Sequence, residues 1–205
     1  MFEEIEERAI RNIDRVKNLT SLYDSSKTPG QGRKSVQDTD VLRAAVVMLH
    51  ASLEDVIRSF TKELLPNADQ VVLNNVPLKG TDKASRAEKF FLGALVNHKG
   101  KTVDQLIKES VDDYLNQISF NDTTEIITRL KNISINYSDE GINILPSINL
   151  MIKRRHNIVH QADANANHKR GSYHATSINK EMLDKWIKDT NTFIIKVLEL
   201  SRIRH

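Results

Sequence analysis

Apolar residues recur at steps of three and four along most of this chain, the spacing that places them on one face of an α-helix. The first such segment runs from Phe2 to Tyr23 and predicts an amphipathic helix. It is followed by Ser25–Lys34, which is rich in turn-forming residues and predicts a flexible linker. A second, longer helix is predicted from Asp38 or Thr39 to about Leu65, and it contains the most apolar stretch of the protein, VLRAAVVMLHASLEDVIRSF.

The rest of the chain continues the helical pattern in shorter segments. Irregular structure is predicted over 67–83 and a polar loop over 164–176, and no run alternates convincingly between apolar and polar residues as a half-buried strand would. The further predicted helices are Ala84–Val96, Thr102–Ile118, Thr123–Ile133, one beginning at about Pro146, and one from Ser177 or Asn179 to about Arg202.

These patterns predict an all-α fold, a helical bundle with four to five core helices. We predict two parts within it. Residues 1–35 form an N-terminal helix and a flexible linker that extend the bundle, and residues 36–205 form the helical domain itself.

Composition narrows the classes of function. Cysteine is absent, which excludes disulfides, thiolate zinc sites and cysteine nucleophiles. The start, MFEEIEERAI, is unlike a signal peptide, and no stretch approaches the roughly 18 apolar residues that span a bilayer. We therefore expect a cytoplasmic protein with no membrane partner. The formal charge of +3 permits a nucleic-acid partner, although an ordinary solvated surface can carry the same charge.

The segment Lys153–His160, KRRHNIVH, carries the candidate chemistry. On a helix, Ile148, Ile152, Arg155 and Val159 fall on one stripe, which is the pattern of a face turned toward the core. An arginine on such a face is costly unless an anion pairs with it or a cleft opens beside it.

His156 and His160 are one helical turn apart at the edge of that stripe, so the sequence predicts a guanidinium and two imidazoles at one border between core and solvent. The same spacing can bind a metal, but HisGluXXHis is absent, and we predict no metal site and no cofactor. The alternative is that these basic residues are simply solvated.

Imidazole and guanidinium groups suit the cleavage of RNA without a metal. Histidine exchanges protons near neutral pH, and arginine can hold a phosphate with two donors. A 2′-hydroxyl would attack the adjacent phosphorus while histidine moves protons and arginine stabilises the transition state.

Residues 154–163, RRHNIVHQAD, resemble the signature of the HEPN superfamily, the higher eukaryotes and prokaryotes nucleotide-binding domains. That signature is an arginine, then a polar residue, then a histidine after four to six intervening residues. Arg155, His156 and His160 fit it; Arg154 fits with one more intervening residue, but the polar neighbour favours Arg155. The flanking IVHQAD is most similar to the branch called RiboL-PSP-HEPN.

The resemblance implies an all-α bundle over about residues 36–205, usually a homodimer in which two motifs face each other across the interface. It also implies catalytic roles for Arg155 and His160, with His156 and Arg154 in support. Some members carry a serine and a glutamate, three residues between them, on an earlier helix. Here His50 and Glu54 have that spacing, with His in place of Ser.

Glu54 lies in a largely apolar stretch of the second helix, so it needs a cation for the same reason that Arg155 needs an anion. We predict that the two side chains pair and that Glu54 orients Arg155 toward the phosphate. The alternative is that Glu54 pairs with Arg58 one turn further on. Basic residues near the motif are predicted to line a groove for the RNA backbone, namely Lys153, Arg154, Lys169 and Arg170.

The sequence therefore predicts a metal-independent endoribonuclease that acts as a toxin or antiphage-defence effector. Its expected partners are RNA, a second copy of the chain that completes a composite active site, and an antitoxin or other defence-system protein. One alternative is a catalytically inactive HEPN module that binds RNA or a protein partner. The other is an unrelated helical adaptor that carries the motif by chance.

Overall fold

The computed structural model describes residues 2–25, 36–80, 92–164 and 175–203. Its α-helices are, in chain order, α1 (Phe2–Ser25), α2 (Val36–Leu64), α3 (Gln70–Leu73), α4 (Val103–Gln117), α5 (Thr123–Asn132), α6 (Leu145–Gln161) and α7 (Lys180–Arg202). Short 3₁₀ helices cover Leu65–Asn67 and Leu92–His98. Within these ranges the only extended pairing is a single bridge between Ala164 and Ala175, so the prediction of an all-α fold is confirmed.

Helix α2 forms the centre of the core. Its buried apolar residues recur at steps of three and four, so that one broad face of the helix is covered by its neighbours. Helix α1 packs along α2, and α6 and α7 pack beside them. The residues of α2 at the centre of the core are Leu42, Ala45, Val46, Leu49, Leu53, Val56, Ile57 and Phe60.

Helix α1 buries Ile5, Ala9, Ile13 and Val16 in the same core. Their steps of four and three are the ones that predicted this helix from the sequence. Whether residues 1–35 form a separate part, as the sequence suggests, stays a prediction.

Most predicted helices are found within one or two residues of their expected ends. Thr102 caps α4 through a reciprocal pair of hydrogen bonds with Gln105, Asp122 caps α5, and Asn179 caps α7. Two predictions need correction. The region 67–83, predicted to be irregular, contains the short helix α3, and the C-terminal part of the predicted helix Ala84–Val96 is 3₁₀. Residues 81–91 lie outside the described ranges.

None of the helices described is both long and apolar enough to cross a membrane.

Candidate active site

Helix α6 carries the candidate motif, and its start is fixed by a carboxylate. Asp139 accepts hydrogen bonds from the backbone N–H groups of Ile144 and Leu145, both at 3.1 Å. Tyr137 donates its hydroxyl to the same carboxylate at 3.2 Å. Negative charge at a helix N-terminus is favourable because the first N–H groups lack partners within the helix.

The core-facing side of α6 changes character along its length. Ile148 and Ile152 are buried, Arg155 on the same face is partly buried, and Val159 is 48% exposed. The prediction that Val159 continues the apolar stripe into the core is therefore wrong. Val159 therefore keeps the helical spacing of the stripe without its burial, whereas the adjacent Ile158 is partly buried against the core.

Arg155 is partly buried, and its surroundings differ from those of an ion-paired arginine. Its Nε is buried and has no hydrogen-bond partner, and among the described residues its guanidinium makes no ion pair with a carboxylate. Its charge is felt by His50 of α2, which is buried. Burial lowers the pKa of His50, and the positive charge of Arg155 lowers it further, against the opposing effects of a hydrogen bond to Phe120 and the charge of Glu54.

His156 and His160 are both exposed, and their ring centroids are 4.6 Å apart. At about 100° per residue, Arg155 and His160 point about 140° apart around the helix axis. Within one chain, the two imidazoles therefore lie together on the solvent side, and the guanidinium lies toward the core. The sequence predicted that Arg155, His156 and His160 lie together between core and solvent. In the structure only the two histidines lie together.

These histidines have no third metal ligand beside them in the part of the chain that is described, where no cluster of three His, Asp or Glu residues is placed to hold an ion.

Arg154, the alternative arginine of the motif, is already engaged. Its Nη2 donates to Asp163 Oδ2 at 2.7 Å and to the carbonyl oxygen of Thr176 at 2.8 Å. Arg43 of α2 donates to the same two residues, from Nε to Asp163 Oδ2 at 2.7 Å and from Nη2 to the Thr176 carbonyl at 2.9 Å. We call these four residues, Arg43, Arg154, Asp163 and Thr176, the Asp163 clamp.

The clamp is largely shielded from water, because the Asp163 side chain is only 2% exposed and those of Arg43 and Arg154 are each 11% exposed. Burial lowers the pKa of Arg154, while the adjacent charge of Asp163 acts in the opposite direction. The sequence analysis did not identify Arg43 or Asp163 as a pair. The available signal was an arginine within the most apolar stretch and an acid directly after the motif.

Glu54 does not pair with Arg155, so that prediction is wrong for the single chain. Its Oε1 accepts from Arg58 Nη2 at 2.7 Å, which is the alternative that the sequence offered, and its Oε2 lies 3.7 Å from His50 Nδ1. Arg58 is one turn along the same helix, so this pairing requires no particular packing between α2 and α6.

His50 lies beside Glu54, and the charge of Arg155 also influences its imidazole. Its Nε2 bonds to the carbonyl oxygen of Phe120 at 3.1 Å, while its Nδ1 faces Glu54. Both charges act on the buried imidazole.

Of the predicted RNA-binding residues, Lys153 is exposed on α6, close to the histidines along the helix. Lys169 and Arg170 lie outside the described residues. Arg154 is held in the Asp163 clamp, so its guanidinium has buried partners rather than an open face.

Comparison with known protein families gives a match. Searches of curated proteins and of solved structures returned none. The family model described as RiboL-PSP-HEPN matches residues 10–200, a range that includes most of α1 and nearly all of α7. The chain therefore belongs to the RiboL-PSP-HEPN family.

Proposed function

We propose that this protein is a metal-independent endoribonuclease. The observation that carries the proposal is a contrast among neighbouring arginines. Arg43, Arg58 and Arg154 are each paired with a carboxylate, whereas Arg155, directly before the histidine pair, has none among the described residues. A partly buried cation that has no acidic partner in the described part of the chain is suited to an anionic phosphate.

The reaction follows from the chemistry of these groups. One imidazole accepts the proton of the RNA 2′-hydroxyl, and the 2′-oxygen forms a bond to the adjacent phosphorus. The bond from phosphorus to the 5′-oxygen breaks, and a second imidazole, in its protonated form, gives its proton to that oxygen. The products are a 2′,3′-cyclic phosphate and a 5′-hydroxyl. Arg155 stabilises the negative charge of the transition state.

The site is proposed to be composite. Because Arg155 and His160 point about 140° apart on one helix, a second copy of the chain is the simplest source of the group that one chain directs elsewhere. Lys153 would contact the RNA backbone, with Lys169 and Arg170 as further predicted contacts.

A role as a toxin or antiphage-defence effector, with an antitoxin or activator as protein partner, is the biological setting that we propose. It is supported by membership of the family and by Arg155, which has no acidic partner among the described residues and precedes the imidazole pair on the same helix. A catalytically inactive module that binds RNA or protein is the competing outcome of the experiment below.

The experiment compares RNA fragmentation by the wild type, His160→Ala and Gln161→Ala. Both residues are exposed in the last turn of α6, so both variants should melt close to the wild type. We expect His160→Ala to lose at least about a hundred-fold in activity and Gln161→Ala to retain it. Equal cleavage by His160→Ala would reject the proposed role, and an inactive wild type that still binds RNA would favour the inactive module.

A further inference from the structure

The chain reverses direction directly after α6. Ala162 and Asp163 adopt left-handed backbone conformations, with φ of 48° and 58°, and the N–H of Asp163 bonds back to the carbonyl of Asn157 at 3.0 Å. Two consecutive non-glycine residues in this region are unusual, and they persist only when surrounding contacts hold them. The reversal directs the Asp163 side chain back under the last turn of the helix, where it is buried.

Three separate elements meet around Asp163. Arg43 belongs to α2, Arg154 belongs to α6, and Thr176 lies in the segment that leads into α7. Thr176 also returns to Asp163 through its own N–H, which donates to the Asp163 carbonyl at 2.8 Å. Two buried guanidinium groups share this carboxylate, so without it they would repel each other.

We infer that Asp163 is a positioning residue for the RNA cleavage proposed above, on which this inference rests. Asp163 is three residues after His160. It attaches the last turn of α6, which carries this imidazole, to α2 and to the segment that leads into α7. At 2% exposure, its side chain is too deeply buried to touch RNA. Its contribution is to hold His160 in place while the proton is transferred, since small displacements of a catalytic group slow a reaction strongly.

Two substitutions of Asp163 distinguish the effect of its negative charge from the effect of its shape. Its Oδ2 accepts from both arginines, whereas its Oδ1 is buried and has no partner. Asp163→Asn can therefore keep one oxygen toward the guanidinium groups and place its amide where no contact is lost. Asp163→Ala removes the clamp. Asp139→Ala is the matched control, because it removes the carboxylate that caps the other end of the same helix.

The experiment measures kcat and KM for RNA well below the melting temperature of every variant. We expect kcat to fall by about ten- to a hundred-fold in Asp163→Ala and by less in Asp163→Asn, with KM nearly unchanged. Asp139→Ala should keep the kcat of the wild type even if its melting temperature falls as much as that of Asp163→Ala. Amide hydrogen exchange over 157–163 should accelerate in Asp163→Ala but not in Asp139→Ala.

The role of Asp163 would be overturned if Asp163→Ala left kcat unchanged, whether or not KM rose. It would also be overturned if Asp139→Ala lowered kcat as much as Asp163→Ala. Either result would leave the nuclease proposal intact. If Asp163→Ala does not fold, Asp163→Asn decides by the same measurements. A folded wild type that does not cleave RNA would overturn the nuclease proposal and the catalytic purpose of Asp163 together, and the exchange data would still show whether the clamp fixes the turn.

Discussion

At the scale of single residues, Arg154 and Arg155 are adjacent but have different surroundings, because neighbouring residues on a helix point about 100° apart. Arg154 meets Asp163 and two backbone carbonyl oxygens, whereas Arg155 has a buried Nε without a partner. A guanidinium keeps its charge at any physiological pH, so of this pair it is Arg155 that has no acid to neutralise it within the described ranges.

Substituting each arginine by methionine separates the two roles. Arg154→Met should lower the free energy of unfolding by roughly 3 kcal/mol, because Asp163 loses one of its two buried partners. Arg155→Met should change it by less than about 1 kcal/mol, since it removes a buried donor that was already unsatisfied. Urea unfolding measures both. A larger loss of stability in Arg155→Met than in Arg154→Met would contradict the assignment of the two roles.

His50 makes the stability of the protein depend on pH. Its pKa in the folded chain lies below the ordinary value of 6.5, chiefly because of burial. Below pH 6.5 the unfolded chain therefore binds a proton that folded His50 resists, and stability falls as the pH falls through the folded pKa, by at most about 1.4 kcal/mol per pH unit. The favourable contribution of neutral His50 is fully present above pH 6.5.

We expect His50→Gln to lose part of this acid sensitivity, because glutamine does not titrate and can still donate a hydrogen bond to the Phe120 carbonyl. Unfolding free energies at pH 7.5 and 5.5 test this, with His156→Gln as the control because the His156 side chain is exposed. An identical pH dependence in His50→Gln and the wild type would exclude His50 as the source.

At the scale of elements, Arg58 joins α2 to the end of α4. Its guanidinium donates to the carbonyl oxygens of Leu115 and Ile118 and lies 5.2 Å from the centroid of the Phe120 ring. A cation at the C-terminus of a helix is favourable because the last carbonyl groups lack partners within the helix. Glu54 binds only the α2 side of this arrangement, through Arg58 and His50.

Arg58→Ala should therefore destabilise the fold by roughly 2 kcal/mol, and Glu54→Ala by about half as much, since Arg58 keeps its two carbonyl partners when Glu54 is removed. Thermal melting of the two variants compares them. If Glu54→Ala lowers the melting temperature more than Arg58→Ala does, Glu54 makes a more stabilising contact than the one with Arg58.

The sequence predicts elements better than contacts, for a physical reason. Periodicity reports whether one face of a segment is apolar, and together with capping residues it located α1, α2 and α7. It does not report which charges meet: Arg43 and Asp163 are 120 positions apart, and their contact depends on how α2 and α6 pack. The predicted ion pair between Glu54 and Arg155 likewise depends on how α2 and α6 pack. The ion pair that Glu54 makes with Arg58 does not, because Arg58 is four residues along the same helix.

The candidate site was predictable to the same extent. The motif identified Arg155, His156 and His160 from local sequence, and the structure describes all three on α6. The exposure of Val159 was not predictable, because helical spacing shows on which side of α6 a residue lies and not whether another element covers it there.

At the scale of the whole molecule, part of the surface of α6 is left uncovered. Leu150 is 60% exposed and Val159 is 48% exposed, and on a helical projection His156 and His160 lie between them. Large apolar side chains that are exposed on a protein surface can mark a site of contact with another chain. This surface supports the proposal that a second copy packs here and completes the site.

Mixing two inactive variants tests the composite site. Arg155→Met and His160→Ala should each be inactive alone, and a mixture that has exchanged subunits should recover activity, because mixed dimers hold an intact Arg155 on one chain and an intact His160 on the other. Recovery is at most partial, since only about half of randomly paired dimers are mixed. No recovery, together with a specific activity of the wild type that dilution to monomer does not change, would indicate a site within one chain.

The central claim is that RNA is cut by its own 2′-hydroxyl, with protein side chains in place of a metal. The most direct measurement identifies the ends of RNA fragments produced by the wild type in excess EDTA. The account predicts 2′,3′-cyclic phosphate and 5′-hydroxyl ends, and resistance of a substrate with a 2′-deoxy residue at the scissile position. Ends that carry a 3′-hydroxyl and a 5′-phosphate, loss of cleavage in EDTA, or efficient cutting of DNA would contradict it.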